Sequence, residues 1–322
     1  MLIGLTGALL ALGLSLPAQP ASAATVYAFG VFGDTPYGST ALNGLPARIN
    51  QLNADPQIQL VSHLGDIGSG NCADSYYAKI KSAFDKFVDP LIYTPGDNEW
   101  ADCHKASVGK ANPLNRLTAV RKVFFPTPGT TLGQNAMSVT AQSGYPENVR
   151  VSKGGITIAA VHGVGSYNDL AIWSGLGYTS VQPSQKAEFD ARTSADASHI
   201  KATFAQATAS HSRAVVLLTQ ADMFWGSPGS TYREAFKVVV RTIAAEAKAY
   251  GKPVFLFNGD SHVFLKDNPL ASSKWLSFYG ITGAVNNLTR YAIEGGSSMN
   301  EWLRVKVVTE SNVISVERVA FK

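Results

Sequence analysis

Four times in this chain an apolar run ends in Gly-Asp. The stretches are "YAFGVFGDTPYG" at Asp34, "IQLVSHLGDIGSGNC" at Asp66, "LIYTPGDNEWADCH" at Asp97 and "VFLFNGDSHVF" at Asp260. One Gly-Asp is an ordinary turn, since both residues favour turns. Four of them, each after a strand-like run, constrain the fold far more. A glycine lets the backbone turn sharply with no Cβ clash. In open α/β sheets, ligands sit beyond the carboxyl ends of the strands. The acids that follow the runs are therefore expected to converge.

Convergence raises an electrostatic problem. Two carboxylates about 4 Å apart repel by about 4 kcal/mol even at an effective dielectric of 20. They share a site only if cations neutralise them or some of them hold protons. Divalent metals are the simplest solution. Oxygen ligands with one imidazole, His262, suit Mn, Fe or Mg. Two ions about 3.5–4 Å apart, bridged by an aspartate, would polarise a phosphoryl oxygen and activate water.

The rest of the pattern alternates. Continuous apolar runs at residues 26–32, 59–64, 90–93, 156–161, 214–219 and 254–257 read as buried strands. Residues 41–52 carry Leu42, Leu45, Ile49 and Leu52 at helical spacing. Residues 75–88 place Tyr76, Ile80, Phe84 and Phe87 on one helical face. Residues 113–123, 184–210 and 232–250 read as further helices, the last stopped by Gly251 and Pro253. Residues 124–144 are rich in Pro, Gly and Thr and read as a loop. The tail reads as strands alone, at 275–279, 290–293, 302–308 and 313–319. Alternation ending in a meander predicts an α/β layered protein with mixed sheets.

The set "GDTPYG", "HLGDIGSG", "TPGDNEW" and "NGDSHVF", in this order, resembles the calcineurin-like metallophosphoesterase superfamily. That superfamily has the pattern D-x-H, G-D-x-x-D, G-N-H-[DE], a lone His and G-H-x-H. "GDTPY" together with "GDNEW" and "GDSH" is similar to a bacterial branch of it. The resemblance covers residues 26–264. It implies a four-layer α-β-β-α sandwich of two mixed β-sheets flanked by helices, one or two divalent metal ions, and hydrolysis of phosphate mono- or diesters. Asp34 matches the first acid, but Pro36 stands where a histidine is expected. Asp66 matches the bridging aspartate. Asp97 replaces an asparagine ligand, and Asn98 replaces the histidine that assists the leaving group. Asp260 replaces a histidine, and His262 is retained. Gln220 stands where the lone histidine is expected.

The expected metal ligands are therefore Asp34, Asp66, Asp97, Asp260 and His262. Asn98, with Gln220 or His104, is expected to position phosphate or water. His104 is either a substitute proton donor or an exposed loop residue. His162 either approaches the site from its own strand end or merely follows it. Tyr37 contacts phosphate or caps its loop, and Asn258 bonds within its turn or reaches substrate. His199 and His211 read as solvent-facing. Two rival readings remain: a catalytically inactive binding protein on the same fold, and a carboxylate acid–base enzyme such as a glycosidase.

Composition excludes some classes. The 322 residues are 45% hydrophobic and 16% charged, ordinary for a globular chain. The net charge of +4, with no Lys/Arg run longer than two residues, leaves no nucleic-acid footprint. Residues 1–23 read as a signal peptide, with an apolar stretch from Leu2 to Leu16 and an A-x-A site before Ala24. This predicts a periplasmic or secreted protein with no stable membrane span after removal of the signal, and residues 24–322 as a single, monomeric domain acting on a small phosphorylated substrate. Cys72 and Cys103 each follow a Gly-Asp turn closely, and an even count in an exported chain predicts a disulfide between them.

Overall fold

The computed structural model describes residue 1, residues 24–227 and residues 231–322. The segment read as a signal peptide, residues 2–23, lies outside the described residues. In chain order the strands are β1 (Thr25–Phe32), β2 (Val61–His63), β3 (Leu91–Tyr93), β4 (Thr140–Gln142), β5 (Tyr145–Lys153) and β6 (Ile156–Ala160). They continue as β7 (Val215–Thr219), β8 (Val254–Asn258), β9 (Leu265–Asp267), β10 (Leu288–Ala292), β11 (Glu301–Val308) and β12 (Ile314–Ala320). They form two mixed sheets, of order β12-β11-β1-β2-β3 and β4-β5-β6-β7-β8-β10-β9. Strands β1, β2 and β3 run parallel, as do β6, β7, β8 and β10.

Alternation along β1 explains the layering. Tyr27, Phe29 and Val31 point into a core shared with Ile158, Ala160, Val216, Leu218 and Phe257 of the other sheet. Ala28 and Phe32 point the other way, onto Leu45, Ile49, Ile80 and Phe84 of the helices Gly38–Asn53 and Asp74–Phe84. On the far side, the helices Pro183–Ala209 and Lys237–Tyr250 cover the seven-stranded sheet through Ile200, Phe204, Val240 and Ile243. The result is the four-layer α-β-β-α sandwich of two mixed sheets. Among the described residues no helix is long and apolar enough to cross a membrane.

Helix ends follow local chemistry. Asn112 accepts hydrogen bonds from the N–H groups of Leu114 and Asn115 ahead of Pro113, which opens its helix. Gln182 and Gln185 form a reciprocal capping box at the start of the long helix.

Several sequence expectations are corrected. Residues 275–279, read as a strand, form the helix Ser273–Tyr279. Its buried residues are Trp275 and Tyr279, four apart and stacked at 5.9 Å, and Gly280 closes it in the left-handed region. The second helix buries Tyr77 rather than Tyr76 and ends at Phe84, with Phe87 buried beyond it. The helix expected over 232–250 breaks at Phe236. Strand β5 was not foreseen, because Glu147 and Asn148 interrupt its apolar pattern. Both are buried because both have partners, Glu147 with Arg121 and His162, Asn148 with Asp196. His199 is buried, not solvent-facing, and its ring reaches the Val149 carbonyl.

Candidate metal centre

Each Gly-Asp turn lies at the carboxyl end of a parallel strand: Asp34 after β1, Asp66 after β2, Asp97 after β3 and Asp260 after β8. The turns are conformationally costly. Asp34, Asp66, Asp260 and His262 all sit at positive φ, 48°, 54°, 70° and 58°. Aspartate tolerates this region better than most residues, yet each such placement costs on the order of 1–3 kcal/mol.

Asp34, Asp66 and His262 each offer a ligand atom, and these atoms lie within 4.8 Å of one another. His262 Nε2 stands 3.7 Å from Asp34 Oδ1. The Asp260 backbone N–H donates to both Asp34 oxygens at 3.1 Å, so the two sheets meet through this pair of turns. Around Asp66 the donors are dense. Tyr37 Oη donates to Asp66 Oδ2 at 2.6 Å, Asn98 Nδ2 donates to the same oxygen at 2.9 Å, and the Asn98 N–H donates to Oδ1 at 3.1 Å. Asn98 Nδ2 also lies 2.6 Å from Tyr37 Oη. The Tyr37 ring meets the His262 ring edge-on at 5.3 Å. Glycine is required where these acids touch backbone: a Cβ on Gly96 would lie 2.1 Å from Asp66 Oδ1, and one on Gly259 would lie 2.2 Å from Asp34 Oδ2.

Asp97 and Asp260 belong to the same strand-end edge but engage different partners. Asp97 Oδ2 accepts from Ser166 Oγ at 2.9 Å, and that hydroxyl also lies 2.6 Å from Asp102 Oδ1. Asp260 Oδ2 accepts from Tyr232 Oη at 2.6 Å and from the Asp222 N–H at 3.1 Å. Gln220 Oε1 accepts from the Gly165 N–H at 2.7 Å.

Electrostatics follow from this crowding. Burial, then the charges of Asp97, Glu99 and Asp34, push the Asp66 carboxyl well above the usual carboxylate range. Burial also raises Asp34, against the pull of His262. Burial, with Asp102 and Asp260 nearby, raises Asp97 strongly, and burial raises Asp260 to about 6. The neighbouring Asp34 carboxylate raises His262. Without a cation, burial and mutual repulsion thus favour the protonated carboxyls over the charged ones.

The donor set fits a divalent cation. Two carboxylate oxygens and one imidazole nitrogen are close enough for one ion, and they are hard to intermediate ligands. Two buried atoms at the same edge, Asp97 Oδ1 and Gln220 Nε2, have no hydrogen-bond partner among the described residues. Polar atoms so buried ordinarily have one.

Other expected site residues have hydrogen-bond partners outside the three-residue group. His162 is fully buried, with Nδ1 2.9 Å from Glu147 Oε1 and its ring 5.6 Å from that of Trp100. Burial holds its pKa down despite that carboxylate. His104 is buried rather than exposed, and its Nδ1 accepts from the Gly175 N–H at 3.4 Å. Asn258 Nδ2 donates to the Gly259 carbonyl at 2.8 Å, within its own turn. Cys72 and Cys103 form a disulfide that ties the loops after β2 and β3 together.

Sequence reasoning missed Ser166 and Tyr232, which come from segments with no Gly-Asp signal, and Asp102, which lies five residues beyond Asp97 in a short 3-10 turn. It also missed Gly295 and Gly296, although "AIEGG" is another strand end followed by glycines. A Cβ on Gly295 would lie 2.4 Å from Asp34 Cβ, and one on Gly296 would lie 2.8 Å from His262 Nδ1.

No family model matches the chain, and no curated protein matches it. Among solved structures it is similar to GAP50, the anchor in the inner membrane complex of Plasmodium, at 10% identity and a TM-score of 0.47, over 92% of this chain and 89% of that one. It is also similar to TT1561 of Thermus thermophilus, at 11% identity and a TM-score of 0.43, over 91% of this chain and 99% of that one. A third is a Staphylococcus aureus protein proposed as a 5'-nucleotidase, solved with alpha-ketoglutarate, at 13% identity and a TM-score of 0.44, over 91% of this chain and 53% of that one.

Proposed function

We propose that the protein is an exported, metal-dependent phosphoesterase that hydrolyses phosphate mono- or diesters at a carboxylate-rich centre of one or two divalent ions. One observation carries this reading: Asp34, Asp66 and His262 present three ligand atoms within 4.8 Å of one another at the ends of parallel strands. Asp34, Asp66 and His262 would hold the first ion, with Asp97 and Asp260 on its second flank. A bound divalent ion supplies Lewis-acid polarisation of the phosphoryl group and a water nucleophile active near neutral pH. The chain supplies the rest. Tyr37 Oη and Asn98 Nδ2 are donors fixed beside Asp66, placed to turn from that carboxylate to a phosphoryl oxygen. His262, beside Asp34 at the partly exposed rim, would give one ring nitrogen to the ion.

Asn98 also favours a second reading. An amide has no proton to give a leaving group, so a metal-binding protein of this fold without turnover fits the same residues. Metal analysis of protein purified without chelator, followed by assays of aryl phosphate mono- and diesters with Mn, Fe and Mg, separates the two. The phosphoesterase predicts turnover lost on chelation and in Asp66→Ala. Bound metal with no turnover selects the second reading. Turnover indifferent to both treatments defeats the metal reading altogether.

A further inference from the structure

Next to the acids lies a segment under unusual strain. Ser166, Tyr167, Asn168 and Asp169 all have positive φ, 47°, 61°, 55° and 69°, a left-handed turn of four non-glycine residues. Left-handed helical conformation costs roughly 1–2 kcal/mol per residue. The turn persists because its inner side is fastened at every residue but one. Ser166 Oγ reaches Asp97 and Asp102. Asn168 Oδ1 accepts from the Val164 N–H at 3.2 Å and from Arg192 Nη1 at 2.5 Å. Asp169 Oδ1 accepts from Trp173 Nε1 at 3.2 Å. The exception is Tyr167, whose side chain is turned outward and is 38% exposed.

Tyr167 forms the wall of a hollow of about 620 Å³, with Leu170, Ile172, Val181, Phe189 and Ala235. Among the described residues that line it, the one charged side chain is Glu234, which is paired with Lys237 at 2.7 Å. A chain of two side-chain contacts links the wall of the hollow to the acids. The Tyr167 ring meets the Tyr232 ring edge-on at 5.2 Å, and Tyr232 Oη sits on Asp260 Oδ2. Ile172 and Val181 remain 43% and 37% exposed. Apolar side chains rimming a concave site beside a polar cluster are the usual composition of a small-molecule pocket.

We propose that this hollow receives an uncharged, apolar leaving group, alkyl or aryl, of the phosphate ester whose phosphoryl end lies at the carboxylate edge. The inference rests on the phosphoesterase reading for the phosphoryl end and on the Tyr167–Tyr232 wall for the apolar end. It makes the strained turn functional: one side is bolted to Asp97 while the other holds Tyr167 over the pocket.

The test compares n-octyl phosphate with ethyl phosphate, whose leaving groups differ in apolar length and little in reactivity. With the Mn-loaded protein, kcat/KM is expected to be at least about 50-fold higher for the octyl ester, because each buried methylene adds to binding. Ile172→Gln and Val181→Gln, both at partly exposed positions, are each expected to cut the octyl value about tenfold, the loss being confined to that ester. Equal kcat/KM for the two esters, or an octyl preference untouched by both variants, overturns the proposal and leaves the phosphoesterase reading standing. Fluorescence titration of 1-naphthol onto the metal-free protein reads the hollow without the chemistry. Binding that weakens in both variants supports the pocket even where no ester is turned over, a result that would sink the phosphoesterase reading alone. Naphthol bound equally well by the wild type and both variants overturns the pocket.

Discussion

At the scale of single residues, Asp34, Asp66, Asp260 and His262 show how tightly this edge is constrained. Each occupies a left-handed backbone position, and glycines leave room for Asp34, Asp66 and His262 that a larger residue would take. Gly96 is the sharpest case. In Gly96→Ala the new methyl would meet Asp66 Oδ1 at 2.1 Å, so the carboxylate must swing away. Calorimetric titration with Mn is expected to show affinity reduced by about tenfold or more, with the far-ultraviolet spectrum unchanged. Tyr37→Phe removes one donor from Asp66 Oδ2 and leaves the ring against His262. A hydrogen bond to a charged group contributes about 1.5–3 kcal/mol. The expected result is a fall in kcat/KM of about tenfold to a hundredfold for phosphate esters. The acids and His262 were legible in sequence because each follows an apolar run. Ser166 and Tyr232 were not, because nothing local marks a serine or tyrosine whose partner lies 69 or 28 residues away.

Elements carry a second set of consequences. The disulfide closes a loop of 31 residues between the turns after β2 and β3. In the chain-entropy account, such a closure contributes about 3–4 kcal/mol. Replacing both Cys72 and Cys103 with serine is therefore expected to lower the unfolding free energy measured in urea by about that amount, with the m-value rising as the unfolded chain expands. The pairing could be read from sequence because both cysteines follow Gly-Asp turns. The helix Ser273–Tyr279 could not. Its short apolar run fits a strand and a helix equally well, and the packing of Trp275 and Tyr279 against Phe224 decided between them. Strand β5 was hidden for the opposite reason: Glu147 and Asn148 look exposed until His162, Arg121 and Asp196 arrive from other elements.

The whole molecule responds to pH through buried groups outside the candidate ligand set. Burial lowers His63 to about 3 and His199 to about 4. A histidine with its folded pKa lowered gives its full stabilisation above the unfolded value of about 6.5, and loses it as pH falls. Burial raises Asp196 to about 7, against the pull of Arg192. That contribution is complete below the unfolded value near 3.8 and disappears as pH rises through 7. Urea denaturation of the metal-free protein from pH 4 to 8 checks both signs. His199→Asn is expected to flatten the loss of stability between pH 6.5 and 4. Asp196→Asn is expected to be more stable relative to the wild type at pH 8 than at pH 5, because it keeps the Asn148 bond without a buried charge.

By itself the sequence determined the alternation of strands and helices, the four acidic turns and the linkage of Cys72 to Cys103. Those properties follow from apolar periodicity and from glycine and aspartate at run ends, which are local. Tertiary structure alone decided which acids share one cation-sized space, which are drawn off to Ser166 and Tyr232, and that a strained turn raises an apolar wall beside them. Such choices depend on how two sheets and their loops meet. Contacts between residues far apart in the chain leave no trace in the spacing of any one segment.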